Sequence, residues 1–186
     1  MARVRNRLFN ELVELLRFDA VFSEPSGQAE VWAKDGWLTL TDGPVIDYER
    51  VYVDIAADAE HYSLREIGYD KWSGEYVRQE LLKRLGRRTP MVAVEPTYVG
   101  MTIPMRELME LTVQRGWNHH GNPVATYGFD SVEVRRSAEN PDMIKPAKPE
   151  RNRGQARIDP VVTAALAVGA WRIRGINQRT YRAAGF

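Results

Sequence analysis

The sequence predicts an α/β fold in which a mixed sheet is flanked by helices. Two observations lead to this class. Short apolar runs suited to strands alternate with stretches whose apolar residues recur at helical spacing, an order typical of α/β sheets. An early pair of strand-like runs around the turn at residues 34–36 (KDG) predicts a hairpin, whose antiparallel pairing would make the sheet mixed. The 186 residues are one domain's length.

The first 60 residues carry the signals for two helices and for the hairpin. Residues 3–17 place leucines at helical spacing opposite charged residues, which predicts an amphipathic helix. Residues 18–22 are suited to a short strand, and residues 29–33 and 37–40 would be the two hairpin strands. Asp47 then predicts a helix start, because an Asp side chain accepts hydrogen bonds from the first N–H groups of a helix.

The chain is organised around residues 65–72, which read as a short strand ending at Asp70. From Ser73 onward apolar residues recur at helical spacing as far as Leu85, and Gly86 closes that helix. The later predicted elements are a strand at 91–94, a helix with Pro104 in its first turn that ends at Gly116, a last strand around Val132 and Val134, a polar loop at 137–158, and a helix from Asp159 and Pro160 onward.

Two aspartates are the candidates for chemistry. Asp70 falls at the carboxyl end of a strand, where open α/β sheets hold their ligands, so it is either a metal ligand or a helix cap. Asp159 starts a helix after a basic loop, a place where a capping aspartate is the commonest explanation. If the two meet, carboxylates in a chain without cysteine suit a hard ion such as Mg²⁺ or Mn²⁺. They are 89 positions apart (159 − 70), so the sequence alone does not show that they meet.

Several classes of site and setting are excluded or disfavoured. The absence of cysteine excludes disulfides and thiolate metal sites, and it fits the cytoplasm. There is no apolar run long enough for a membrane span and no phosphate-binding loop of the Gly-x4-Gly-Lys-Ser/Thr kind. His119 and His120 are adjacent, so on an extended segment their side chains point opposite ways. They predict a polar turn rather than a zinc site.

The charge of the chain is unevenly distributed. The net charge is only +1, but from residue 143 to the end lysine and arginine far outnumber the two acidic residues, Glu150 and Asp159. Such asymmetry indicates either a polyanionic partner or a solvated basic tail.

Six stretches, in order and with sensible gaps, resemble the nuclease domain of tailed-phage terminase large subunits. The resemblance runs from about residue 29 to residue 171. The stretches are 36–43 (GWLTLTDG) with 45–48 (VIDY), 67–72 (IGYDKW), 104–108 (PMREL), 119–124 (HHGNPV), 144–148 (IKPAK) and 157–166 (RIDPVVTAAL). Asp70 matches the family's second metal-binding acid, and Asp159 matches its third.

The resemblance implies an RNase H-like fold and metal-dependent cleavage of double-stranded DNA during phage genome packaging in the host cytoplasm. Asp70 and Asp159 would be ligands of one or two Mg²⁺ or Mn²⁺ ions. Phosphate contacts beside the site would come from five basic residues: Lys145, Lys148, Arg151, Arg153 and Arg157. The implied organisation is an N-terminal helix and lead-in at 1–28, the nuclease domain at 29–172 and a basic C-terminal tail at 173–186.

The chain departs from the family in two respects. The sequence contains no packaging ATPase domain, so a separate ATPase chain or other packaging proteins would be its partners, along with double-stranded DNA. The family's first metal-binding acid has no convincing counterpart, and Asp19 is the first substitute to consider. Two rival hypotheses follow: a non-catalytic DNA-binding or assembly module derived from the nuclease domain, and an unrelated α/β protein with two capping aspartates.

Overall fold

The computed structural model of the chain describes residues 27–40, 47–62, 64–72, 74–86, 89–153 and 156–183. The helix expected at 3–17, the strand at 18–22 and Asp19 lie outside these residues. Within them the elements follow in this order: α1 (Gly27–Lys34), α2 (Tyr48–His61), β1 (Ile67–Asp70), α3 (Glu75–Leu85), β2 (Met91–Val94), α4 (Tyr98–Val113), α5 (Pro123–Asp130), β3 (Glu133–Arg136), β4 (Ile144–Ala147), a 3₁₀ turn (Glu150–Asn152) and α6 (Asp159–Ala183).

The described strands form two separate pairs. β1 and β2 are parallel, with Asp70 opposite Val94 at their carboxyl ends. β3 and β4 are antiparallel, with Arg135 opposite Lys145. The expected combination of parallel and antiparallel pairing is therefore present, although the antiparallel pair does not come from the early hairpin.

The main core lies where α4 and α6 pack together over β2 and β4. Its fully buried side chains include Met101, Met105 and Leu108 of α4, with Val161 and Val168 of α6. A smaller cluster joins α1 to α5, where Trp32 packs against Val124 and stands 5.5 Å from the Tyr127 ring. This packing fixes α6 relative to the parallel strands.

Side chains cap the starts of described helices at one expected and two unforeseen positions. Asp47 caps α2, accepting hydrogen bonds from Glu49 N at 3.0 Å and Arg50 N at 3.3 Å, as expected. The predicted strands ending at Asp70 and Val94, the helix closed by Gly86 and the helix beginning at Asp159 are also confirmed. The unforeseen caps are Thr97 on α4 and Asn122 on α5.

The early hairpin was a wrong prediction, because residues 27–34 form helix α1. Ala29 and Trp32 are both buried there, and their spacing of three is that of one helical face. A run this short fits the apolar spacing of a strand as well as that of a helix. The helix is favoured because it lets Trp32 pack against α5.

Two later predictions also need correction. Pro104 is not in the first turn of α4, which begins at Tyr98 because Thr97 Oγ1 accepts a hydrogen bond from Gly100 N at 3.1 Å. The stretch 137–158 is not one polar loop, since it contains β4 and the 3₁₀ turn. Ile144 of β4 is buried and exchanges hydrogen bonds with the Thr102 hydroxyl of α4, at 2.9 Å through its N–H and 3.2 Å through its carbonyl.

Candidate functional site

Asp70 ends β1 at the carboxyl edge of the parallel pair. The next residue, Lys71, continues the ladder by donating its N–H to Val94 O at 3.1 Å. The half-buried Asp70 side chain accepts a hydrogen bond from Trp72 N at 2.8 Å, and Gly74 N donates to the Asp70 carbonyl at 2.8 Å. The carboxylate thus braces a tight turn. Gly74, not Asp70, occupies the cap position of α3, so the helix-cap interpretation of Asp70 is wrong.

Asp159 is the first residue of α6, and its side chain is exposed. The Ile158 carbonyl accepts hydrogen bonds from both Val161 N and Val162 N at 3.0 Å, so Ile158 holds the cap position. Asp159 stands one residue inside the helix, where a negative charge interacts favourably with the helix dipole. The Asp159 side chain therefore does not cap the helix, contrary to the commonest expectation from the sequence.

The course of α6 brings the two aspartates to the same edge. Gly68 of β1 lies directly under Leu166, since a Cβ atom placed on Gly68 would lie 2.5 Å from the Leu166 carbonyl oxygen. Further along α6, Arg174 Nη1 lies 3.4 Å from Oε2 of Glu66, which precedes β1. α6 therefore runs antiparallel to β1, and its first residue, Asp159, lies towards the end of the strand that carries Asp70.

The donor set fits a hard ion, but only two predicted ligands gather at this edge. Both are carboxylates, the donors that Mg²⁺ and Mn²⁺ prefer. In the part of the chain that the structure describes, no group of three His, Cys, Asp or Glu side chains could hold a metal ion. His119 and His120 form the predicted turn, closed by a hydrogen bond of 2.8 Å from Asn122 N to His119 O.

The sequence analysis missed one acid at the same edge. Glu95 directly follows β2, as Asp70 ends β1, and its Oε1 accepts a hydrogen bond from Lys71 Nζ at 2.6 Å. The hydrogen bond and the charge of Glu95 raise the pKa of Lys71 above its ordinary value. Applying the strand-end rule to every predicted strand would have found Glu95, which in this structure is committed to its ion pair.

The predicted basic residues lie on and after the β3–β4 hairpin. Lys145 of β4 stands 4.7 Å above the Tyr98 ring, and Tyr98 Oη donates to Arg136 O at 3.3 Å. Lys148 follows β4 and is half-buried, Arg151 lies in the 3₁₀ turn, and Arg153 is exposed. Arg157, two residues before Asp159, donates to the Ala156 carbonyl at 3.3 Å.

The position of Tyr98 connects the hairpin to the aspartate edge. Tyr98 is the first residue of α4 and comes four residues after Val94, a length of chain that spans at most about 14 Å. Lys145, whose Nζ stands 4.7 Å from the centroid of the Tyr98 ring, is therefore linked through Tyr98 to the segment that follows β2.

Two arginines of β3 were missed by the sequence analysis. Arg135 and Arg136 are exposed and line a shallow cavity of about 520 Å³ together with Arg151 of the 3₁₀ turn. Glu150 also lines the cavity and pairs loosely with Arg135 at 3.9 Å. Pairing of β3 with β4 puts these arginines beside Lys145, and that pairing was hidden because 137–158 reads as a loop.

The chain belongs to the family of terminase large subunit endonuclease domains, whose family model matches residues 22–174. It is 29% identical to Protein YmfN of Escherichia coli (strain K12) over 139 residues, which are 74% of this chain and 29% of YmfN. It is 28% identical to the terminase large subunit of Enterobacteria phage HK97 over 143 residues, which are 76% of this chain and 27% of that protein. The chain thus spans less than a third of these relatives.

The fold is also similar to that in the crystal structure of the HK97 bacteriophage large terminase. The TM-score is 0.64 at 25% identity, covering 76% of this chain and 28% of that one. The expected RNase H-like α/β class is confirmed by this likeness. Among the described helices, none combines the length and the apolar character needed to cross a bilayer.

Proposed function

We propose that the chain is a metal-dependent endonuclease domain that cleaves double-stranded DNA during phage genome packaging, in the cytoplasm of the host. The observation that carries the proposal is the antiparallel seating of α6 on β1, with Asp159 and Asp70 at one edge of the parallel strands. Membership of the terminase endonuclease family supports this reading of the edge.

In this proposal each aspartate has a distinct structural support. Asp70 ends β1, and the hydrogen bond that its side chain accepts from Trp72 N holds the carboxylate at this edge. Asp159 sits on the rigid first turn of α6 and reaches the same edge from the other side. Mg²⁺ or Mn²⁺, when bound, would supply stabilisation of the charge that develops on the phosphate.

Calorimetric titration with Mn²⁺ tests these ligands. Asp70→Asn and Asp159→Asn should each weaken Mn²⁺ binding, because a neutral amide oxygen replaces a charged ligand. Their melting temperatures without metal should be unchanged or raised, since neutralising one of two carboxylates at the same edge relieves repulsion. Asp35→Asn, an exposed change in the turn after α1, is the matched control. Unaltered Mn²⁺ binding together with a stability loss of about 1 kcal/mol would assign both aspartates a structural role and none in metal binding.

The DNA contact that we propose is made through phosphates by Lys145, Lys148, Arg151, Arg153 and Arg157, with little base readout. Replacing Lys145, Lys148 and Arg153 by Ala should lower the slope of log affinity against log salt by about one per lost contact. A control variant removes the same charge elsewhere, at Lys34, Lys83 and Arg115. The proposal fails for this segment if both triple variants keep the wild-type slope.

A second candidate function is a non-catalytic DNA-binding or assembly module. It is favoured by the observation that, among the described residues, no group of three His, Cys, Asp or Glu side chains could hold a metal ion, and that Glu95 at this edge is paired with Lys71. It shares the DNA contact and differs only in cleavage. Both versions propose double-stranded DNA and packaging proteins as partners, a terminase ATPase chain among them, because a relative is a phage terminase large subunit.

A further inference from the structure

A large aromatic side chain stands exposed beside the candidate carboxylate. Trp72 is 67% exposed, and Tyr76, four residues later in the first turn of α3, is 66% exposed. An exposed indole does not gain the stabilisation that aromatic side chains usually contribute when they are buried. Exposed apolar patches commonly mark binding sites.

The backbone under Trp72 is fixed relative to Asp70. Trp72 N donates to the Asp70 carboxylate at 2.8 Å, and the turn closes through Gly74 N on the Asp70 carbonyl. A Cβ atom on Gly74 would lie 2.6 Å from that carbonyl oxygen and 3.0 Å from the Tyr69 ring, so position 74 has no room for a larger residue. The Trp72 backbone is therefore held next to Asp70.

The cations around Trp72 are already paired with acids. Lys71 binds Glu95 at 2.6 Å, and Arg78 binds Glu75 at 2.6 Å. The hydrogen bonds from Arg78, then that from Gln79, hold the pKa of Glu75 at about 2, so it stays ionised at neutral pH. This surface is locally balanced in charge, and what it offers a ligand is an aromatic face rather than a phosphate-binding cation.

We propose that Trp72 stacks on a base of the DNA next to the phosphate that a divalent ion bound at Asp70 would hold. The inference rests on the proposed function, and it adds a positioning residue to it. Two residues of chain span at most about 7 Å, so a nucleotide whose phosphate lies at Asp70 has its neighbour within reach of the indole. We favour DNA over a protein as the partner of Trp72, because a protein bound over this side chain would exclude a DNA phosphate from the same edge.

Stacking on Trp72 sets a preference among DNA structures. In an intact duplex both faces of every base are covered by neighbouring bases, whereas an unpaired base offers a free face. Stacking on an aromatic side chain tolerates any sequence. The domain should therefore bind DNA with an unpaired nucleotide more tightly than the same duplex fully paired.

The test compares binding of two fluorescent duplexes, identical except for one unpaired nucleotide, with Ca²⁺ as an oxygen-ligated ion in place of Mg²⁺. Trp72→Ala should weaken binding to the interrupted duplex by about fivefold or more, the loss of one stacked base. Trp72→Phe should retain most of that affinity. Binding to the paired duplex and the salt slope should not change. Trp37→Ala is the control, and the melting temperature of each variant reports its folding.

Equal affinity of wild type and Trp72→Ala for the interrupted duplex would overturn the inference while leaving the proposed DNA contact intact. An equal loss on both duplexes, or a change in salt slope, would also overturn it. If Trp72→Ala instead abolishes binding to a purified packaging ATPase chain and spares DNA, the surface belongs to a protein partner. If wild type binds neither duplex, the proposed function fails as well.

Discussion

Gly68→Ala should weaken the contact that brings the two candidate ligands together. The added Cβ atom would lie 2.5 Å from the Leu166 carbonyl oxygen, 2.9 Å from its carbonyl carbon and 3.2 Å from Ala170 Cβ. The first two neighbours are backbone atoms of α6, which cannot rotate out of the way. The only relief is a shift of the whole helix away from β1.

Overpacking of this kind costs about 1–3 kcal/mol, and the backbone obstacle puts Gly68→Ala at the upper end. Replacing glycine also restricts the unfolded chain, which returns about 0.4–1 kcal/mol. The net destabilisation should be about 2 kcal/mol, or a melting temperature lowered by about 4–8 °C for a chain of this size. Scanning calorimetry or thermal circular dichroism measures it.

A second readout separates this effect from a simple loss of stability. A displaced α6 carries Asp159 away from Asp70, so Mn²⁺ affinity should fall although Gly68 is not a ligand. Gly27→Ala is the control, because a Cβ atom there meets nothing within 4 Å. The reasoning is refuted if Gly68→Ala melts with the wild type, since α6 would then not be seated on β1.

Two further predictions concern catalysis and pH. The lone chain should nick supercoiled plasmid slowly, and mainly with Mn²⁺, which binds such sites more tightly than Mg²⁺; rapid Mg²⁺-dependent cleavage that Asp70→Asn abolishes would show that a third acid is already present. Burial raises the pKa of Glu66 above its ordinary value of 4.5, against the opposing charge of Arg174. Because the folded state holds the Glu66 proton more tightly than the unfolded state, Glu66 contributes stability in full below pH 4.5. That contribution is lost as pH rises through the folded-state pKa of Glu66. Glu66→Gln removes this dependence, so the melting temperature of the variant relative to wild type should increase between pH 4 and pH 7.5, and a constant difference would contradict the prediction.

The sequence carried enough information for elements with a strong local signal. The strand before Asp70 and the helix closed by Gly86 are both marked by periodicity and by a residue that ends the element. β4 had no such signal, because its single buried anchor, Ile144, is held by the hydroxyl of Thr102 on α4. A contact across 42 positions is a tertiary fact that no local window contains.

The candidate site shows the same division. Each aspartate could be placed at the end of its own element from local pattern. Their common edge depends on α6 running antiparallel to β1, and that depends on the close approach of Gly68 to Leu166. In the sequence Gly68 is one small residue in an apolar strand, and nothing near it indicates which helix will lie on top.

The exposed strand β3 has a consequence for solubility. In the described part of the chain it pairs only with β4, and all four of its residues are exposed. Its outer row of backbone groups is covered at Arg136 O, which accepts from Tyr98 Oη. Such an edge can template pairing with another molecule, and charged side chains are a common protection. Arg135 and Arg136 therefore protect the edge as well as adding positive charge. Variants that neutralise them should use Gln rather than Val, because a β-branched apolar residue on an exposed edge strand would promote aggregation.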